Sequence, residues 1–186
     1  MKNTTDSHLR VRALTEGAIF VALAFVLSFV KLYELPNGGS LTPAMFPILF
    51  YALRFGLGRG MAAGFVFGLL QLLFDGAYAW GWQSMIGDYL LAFMVLGVAG
   101  LFWKQKGGFF IGATVGSLAR FLVHFVVGAT IWAAYMPDSF FGMTMTSPWF
   151  YSFLYNGSYM VIDYLLILLI GAVLQKSTKQ IFRPQC

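Results

Sequence analysis

Unbroken apolar segments of about 18 or more residues recur along this chain and limit the folds it can adopt. As an α-helix rising about 1.5 Å per residue, such a segment crosses the roughly 30 Å hydrocarbon core of a bilayer. A membrane β-barrel would instead show alternating strands of about ten residues. Only 10% of the 186 residues are charged, whereas soluble domains carry about 25%. The sequence therefore predicts an all-α, multi-pass membrane protein without a substantial soluble domain.

Charged residues and Gly or Pro residues divide the apolar sequence into six predicted transmembrane helices, which form a single domain over residues 1–186. The predicted spans lie near residues 11–33, 43–55, 57–75, 83–103, 109–134 and 149–175. The second span is short, and Pro43 and Pro47 lie in its first turn, where a missing N–H is tolerated best. We expect this helix to begin inside a protein-lined cavity and not in lipid.

Basic residues mark one side of the predicted membrane. They form four clusters: Lys2, Arg10 and Arg12; Arg54 and Arg59; Lys104 and Lys106; and Lys176, Lys179 and Arg183. The opposite connections carry Glu34, Asp75 and Asp138, with Lys31 as their only base. By the positive-inside rule, both termini are predicted to be cytoplasmic. The clusters build no continuous basic stripe, so we expect no nucleic-acid partner.

Polar side chains from three predicted helices reach the outer leaflet. Asp88, His124 and Asn156 are expected about 8, 15 and 10 Å below the outer boundary. An ionisable group there costs about 2.5–3.5 kcal/mol and needs a partner or a function. The same layer is rich in aromatic residues, which also fit an interfacial belt: Tyr78, Trp80, Trp82, Tyr89, Trp132, Trp149, Tyr151 and Tyr155. This combination predicts an outward-facing pocket for a planar, nitrogen-rich, cationic small molecule.

Helical spacing suggests further pairings. Arg120, His124, Gly128 and Trp132 follow at four-residue steps and so share one face of the fifth helix. Arg120 matches Asp163 of the sixth helix in depth, which predicts a structural ion pair.

Small residues recur at the same four-residue spacing on other helices. The rows Gly60, Gly64 and Gly68, and Gly112 and Gly116, predict close internal packing. Ala18 and Ala22 of the first helix fit either internal packing or an interface with a partner membrane protein.

Motifs for ATP use and for common catalysis are absent from the sequence. It has no G-x-x-x-x-G-K-[ST] loop, no H-E-x-x-H helix and no G-x-S-x-G turn. The single cysteine, Cys186, excludes a cysteine-based metal cluster, and we expect no metal, no cofactor and no enzymatic activity. Two other classes stay open from the residues alone: an intramembrane hydrolase using Ser117 and His124, and a self-sufficient channel.

Several segments together resemble the thiamine-specific substrate-binding subunit of energy-coupling-factor transporters. They are Leu14–Ala22, the loop Pro36–Ser40, Asp88-Tyr89, Arg120-x-x-x-His124-x-x-x-Gly128 and Tyr151-Ser-x-x-x-Asn156-Gly. The resemblance implies a six-helix subunit of the cell membrane that captures thiamine from outside. It also implies docking on a module of one transmembrane coupling subunit and two ATPases.

The resemblance assigns roles to individual residues. It implies that the aminopyrimidine ring contacts Asp88, His124, Tyr151 and Asn156. It implies that Trp132, Tyr89, Tyr78 and Gly128 line the thiazolium end, and that Ala18 and Ala22 meet the partner. The same architecture binding another vitamin, riboflavin or a pyridoxine-like ring, is the nearest alternative.

Overall fold

A computed structural model describes residues 4–75 and 79–177, in which the chain forms six helices. They are α1 (Thr4–Ser28), α2 (Met45–Phe55), α3 (Leu57–Asp75), α4 (Gly81–Phe102), α5 (Gly108–Thr130) and α6 (Pro148–Ser177). Within these residues, all helices except α2 are long and apolar enough to cross a membrane, which makes five.

The predicted limits agree with the structure to within a few residues, except at α1 and at the end of α5. Helix α1 ends at Ser28, although the apolar residues Phe29 and Val30 follow it. Residues 29–32 instead turn and lead into a hairpin, and Leu32 N donates to Leu41 O at 2.9 Å. Apolarity alone therefore placed the end of this helix too late.

Helix α2 lies in the centre of the bundle. All of its 11 residues are buried, and it packs against α1, α3, α4, α5 and α6. It is only about 16 Å long, roughly half the hydrocarbon thickness. Thr42 and Ala44, which precede it, line a cavity. The expectation that this helix begins inside the protein is confirmed.

The glycine rows bring helix backbones together, as predicted. A methyl group at Gly64 would overlap the Phe93 carbonyl of α4, and one at Gly68 would overlap the Tyr89 carbonyl. Gly112 and Gly116 of α5 likewise pack closely against α4 and α2. These rows serve internal packing.

Helix α4 changes its winding along its length. A π-helical segment, Met85–Leu91, follows the first turn, and a 3₁₀ segment, Val95–Phe102, completes the helix. Asp88 lies within the π-helical segment. Such segments interrupt α-helices frequently at functional sites.

Two short hairpins lie at one end of the bundle, which we call the hairpin end. Strands β1 (Tyr33–Glu34) and β2 (Ser40–Leu41) pair antiparallel, as do β3 (Ser139–Phe140) and β4 (Met143–Thr144). The turn of each hairpin contains left-handed backbone: Asn37 and Gly38 in the first, Phe141 and Gly142 in the second. The sequence reasoning did not predict these hairpins.

The opposite end, which we call the Arg54 end, gathers residues from five helices, all but α3. Arg54 at the end of α2 binds Glu16 of α1, with Nη2 and Oε2 at 2.9 Å. A small cavity there is lined by Arg54, by residues of the α4–α5 connection and by Gln175 near the end of α6.

Candidate ligand-binding site

A cavity of about 130 Å³ lies toward the hairpin end, enclosed by α1, α3, α4, α5, α6 and the first hairpin. It is lined by every predicted binding residue within the described part of the chain: Asp88, Tyr89, His124, Gly128, Trp132, Tyr151 and Asn156. Tyr78 lies outside the described residues. Side chains predicted from separate helices thus surround one space.

The carboxylate of Asp88 is held by three donors. His124 Nδ1 lies 2.9 Å from Oδ1, while Ser84 Oγ and Trp132 Nε1 each donate to Oδ2 at 2.8 Å. Ser84 lies one turn before Asp88 and is fully buried. These contacts fix the orientation of the one carboxylate among the lining residues.

The hydrogen bonds of His124 determine which ring nitrogen carries its proton. Arg120 Nε lies 3.3 Å from His124 Nε2, and a guanidinium can only donate. Nε2 is therefore the acceptor, and the proton of the neutral ring lies on Nδ1, which donates to Asp88. Arg120, His124 and Asp88 form a chain of directed hydrogen bonds.

Arg120 and Asp163 do not form the predicted ion pair, although the structure describes both. The Arg120 guanidinium turns toward His124 and lies 4.4 Å from the centre of the Phe93 ring. Asp163 instead accepts a hydrogen bond of 2.8 Å from the backbone N–H of Thr42, just before α2. The two charges interact only at longer range. Matching positions along two helices did not suffice to predict the pair, because the two side chains have other partners.

The amide of Asn156 joins α5 to α6. Its Nδ2 donates to the Ser152 carbonyl at 3.0 Å and lies 3.3 Å from the His124 carbonyl, and its Oδ1 accepts from Tyr159 at 3.1 Å. Gly128 permits this approach, because a methyl group there would overlap the Ser152 hydroxyl. The amide therefore has a fixed orientation before any ligand arrives.

Tyr155 anchors the first hairpin, a role that the sequence reasoning missed. Its hydroxyl accepts from Gly39 N–H at 2.9 Å and donates to the Pro36 carbonyl. Phe140 of the second hairpin packs on the rings of Tyr151 and Tyr155. Only the fold reveals these contacts, since Gly39 and Tyr155 are 116 residues apart. Both hairpins are thus attached to α6 beside the cavity.

A family model described as thiamine transporter protein (Thia_YuaJ) matches residues 14–183 of the chain. The chain belongs to this thiamine transporter family. It is 29% identical to the thiamine transporter ThiT of Bacillus subtilis, covering 87% of this chain and 88% of that protein. It is 28% identical to ThiT of Lacticaseibacillus paracasei, covering 95% of this chain and 93% of that protein.

Solved structures extend the similarity to three dimensions. ThiT from Listeria monocytogenes matches with a TM-score of 0.83 and 29% identity, covering 94% of this chain and 99% of that one. A structure described as the S component of a bacterial ECF transporter matches with a TM-score of 0.55 and 18% identity, covering 89% of this chain and 99% of that one. This second match shows a shared fold.

Membership of the thiamine transporter family makes this chain a membrane transport protein and not an enzyme. The geometry also lacks what a hydrolase needs. Ser117 is buried away from the cavity lining, and both ring nitrogens of His124 already have partners. The alternative of an intramembrane hydrolase is wrong.

Ala18 and Ala22 lie on the surface of α1. Both are exposed, whereas Ala13, Val21 and Ala24 form the buried face of the same helix. Internal packing within this chain therefore does not explain the pair. The alternative that the sequence left open, contact with another membrane protein, stays a prediction.

Proposed function

We propose that this chain captures thiamine from outside the cell and releases it inward as the substrate-binding subunit of an ATP-driven transporter. The observation that carries the proposal is the Asp88 carboxylate, held in an aromatic-lined cavity of a thiamine transporter family member. The sequence contains no phosphate-binding loop, so the energy for transport comes from a separate module.

In this proposal, the aminopyrimidine ring contacts Asp88, His124, Tyr151 and Asn156. The exocyclic amine donates to Asp88, where a charge-assisted hydrogen bond is stronger than a neutral one. Because the indole N–H of Trp132 now occupies part of that acceptor, ligand binding replaces this internal bond. The directed chain from Arg120 keeps the second oxygen of Asp88 engaged.

In the same proposal, the thiazolium ring lies against Trp132, Tyr89 and Gly128. The resemblance adds Tyr78, which lies outside the described residues. Cation–π attraction favours a positive ring over an indole face and is worth about 2 kcal/mol where water is excluded. Tyr135 extends the aromatic wall, with its ring centre 5.6 Å from that of Trp132. A cationic, two-ring ligand matches this wall better than a neutral one.

The proposed topology has six crossings and cytoplasmic termini. The basic residues that flank the α2–α3 connection and those of the α4–α5 connection support it, because both connections lie at the Arg54 end with the end of α6. Under this topology the hairpin end and its cavity face outside. Helix α2 completes its crossing together with the chain segment that precedes it.

Docking on the energising module involves the exposed face of α1. We infer that Ala18 and Ala22 let a helix of one transmembrane coupling subunit approach closely, and that two ATPases complete the module. Replacing both alanines with Trp should abolish thiamine uptake in cells but leave binding to the purified chain unchanged. Leu73→Trp, on the exposed face of α3, is the matched control and should leave both intact. Loss of binding in the alanine variant would contradict this assignment.

A ligand titration tests the proposed function. The purified chain in detergent is titrated with thiamine, riboflavin and pyridoxine while tryptophan fluorescence is followed. We expect saturable binding of thiamine well below the concentrations at which the other two bind. Because the chain has five tryptophans, Trp132→Phe identifies the source of the signal. Tighter binding of riboflavin or pyridoxine would assign the subunit to that vitamin instead.

A further inference from the structure

Gln71 is a buried polar side chain of the cavity for which the described part of the chain provides no hydrogen-bond partner. It lies on α3, is 5% exposed and lines the cavity. Among the described residues, no side chain or backbone group is bonded to its amide, whereas Asp88, Asn156 and Tyr155 all have internal partners. The amide lies at the cavity and is not among the fully enclosed atoms that lack a partner, so a group that enters the cavity can reach it. We therefore expect the bound ligand to form a hydrogen bond with this amide.

Gln71 comes from a different helix than the other polar side chains of the site. Gly68, one turn earlier on α3, packs against the Tyr89 carbonyl. The neighbouring α1 contributes Ser28 to the lining, but the Ser28 hydroxyl already donates to the Phe25 carbonyl at 2.7 Å. His124 and Asn156 come from α5 and α6 instead. Of the described polar side chains that α1 and α3 contribute to the lining, Gln71 is thus the one without a partner.

The chemistry of an amide limits what Gln71 can recognise. It offers one acceptor oxygen and two donor hydrogens and carries no charge. It therefore suits a hydroxyl, which donates and accepts, better than a cationic ring. Thiamine has one hydroxyl, at the end of the hydroxyethyl arm of its thiazolium ring. If the aminopyrimidine occupies the Asp88 side, this hydroxyl is the ligand group left for another wall.

We propose that Gln71 is a specificity-determining residue that hydrogen-bonds the hydroxyl of the ligand. This inference rests on the proposed function, since it names the part of thiamine that the α1–α3 wall recognises. A vitamin-sized cation without the hydroxyl would leave the buried amide unsatisfied and would bind more weakly.

The test compares thiamine with an analogue whose hydroxyethyl arm is replaced by ethyl, which keeps both rings and the charge. Binding is measured by calorimetry for the parent chain, Gln71→Leu and the control Gln175→Leu. Gln175 is a glutamine of the small cavity at the Arg54 end. The parent and the control should prefer thiamine by about 3- to 10-fold. Gln71→Leu should lose that preference and bind the analogue as tightly as the parent does.

Three results would overturn the inference. Equal binding of both ligands by the parent would mean that the hydroxyl is not recognised. If Gln71→Leu lowered the affinity for thiamine and for the analogue by the same factor, the residue would act through packing. If Gln71→Leu kept the parent's preference for thiamine, another residue would contact the hydroxyl. In these cases the proposed function stands as long as the parent binds thiamine. Absence of thiamine binding by the folded parent would overturn both.

Discussion

Buried polar side chains have different surroundings at the two ends of the helix bundle. At the Arg54 end, the Arg54 side chain is 9% exposed, pairs with Glu16 and lies near the rings of Phe50 and Phe55. Toward the hairpin end, Asp88 and Gln71 line the ligand cavity. Arg54 also lines a small cavity, but a carboxylate of another helix satisfies its charge, whereas the Gln71 amide has no partner among the described residues and is available to a ligand. This contrast separates the stabilising residues from the binding residues.

The largest expected effect comes from filling a close helix contact. Gly64→Leu should destabilise the protein by about 3 kcal/mol or more, because the added side chain overlaps the backbone of α4. Gly58→Leu, on the same helix where no atom lies within 4 Å, should change stability by under about 0.5 kcal/mol. Thermal unfolding in detergent, followed by loss of the monomer peak, measures both. Similar melting temperatures for the two variants would contradict the packing assignment.

The ion pair at the Arg54 end should matter for stability and not for binding. Glu16→Gln leaves the buried Arg54 guanidinium without this carboxylate, which should cost roughly 3 kcal/mol. Glu34→Gln removes a carboxylate that pairs with Lys31 beside the first hairpin, where Glu34 is 38% exposed, and should cost under about 1 kcal/mol. Unfolding measurements and thiamine titrations on the same preparations test the distinction. Weaker thiamine binding by folded Glu16→Gln would contradict the claim that this ion pair matters only for stability.

The helices could be predicted from the sequence because the membrane imposes a simple rule on them. A long apolar run bounded by charges forms a crossing helix, and Pro43 and Pro47 correctly marked α2 as different. The rule failed at the end of α1, where mostly apolar residues lead from Ser28 to the hairpin strand beginning at Tyr33. Hydropathy cannot separate a helix from the chain that folds back over it.

The members of the cavity could also be predicted, but not their pairings. Depth along a helix correctly grouped Asp88, His124 and Asn156 near one space. Depth says nothing about side-chain direction, so it wrongly joined Arg120 to Asp163 and missed the bond from Thr42 N–H. The Ser84–Asp88 contact could have been predicted from the sequence, because residues four apart on a helix are neighbours.

The smallest of these effects concerns the chain of hydrogen bonds through His124. Arg120→Met removes the donor to Nε2, so the imidazole should populate the Nε2–H form, and thiamine affinity should fall about 3- to 10-fold. Nitrogen NMR of histidine-labelled protein reports the tautomer, and the sequence has only two histidines. The variant His8→Gln assigns the other signal. An unchanged His124 spectrum in Arg120→Met would contradict the role given to Arg120.

Titration of Asp88→Asn with thiamine tests the central claim most directly. The substitution keeps the shape of the side chain, removes the charge and turns one acceptor into a donor. The affinity for thiamine should therefore fall by about 1.5–3 kcal/mol, on the order of 10- to 150-fold. Circular dichroism and the melting temperature of the variant establish that it is folded. A folded Asp88→Asn protein that binds thiamine as tightly as the parent would contradict the account.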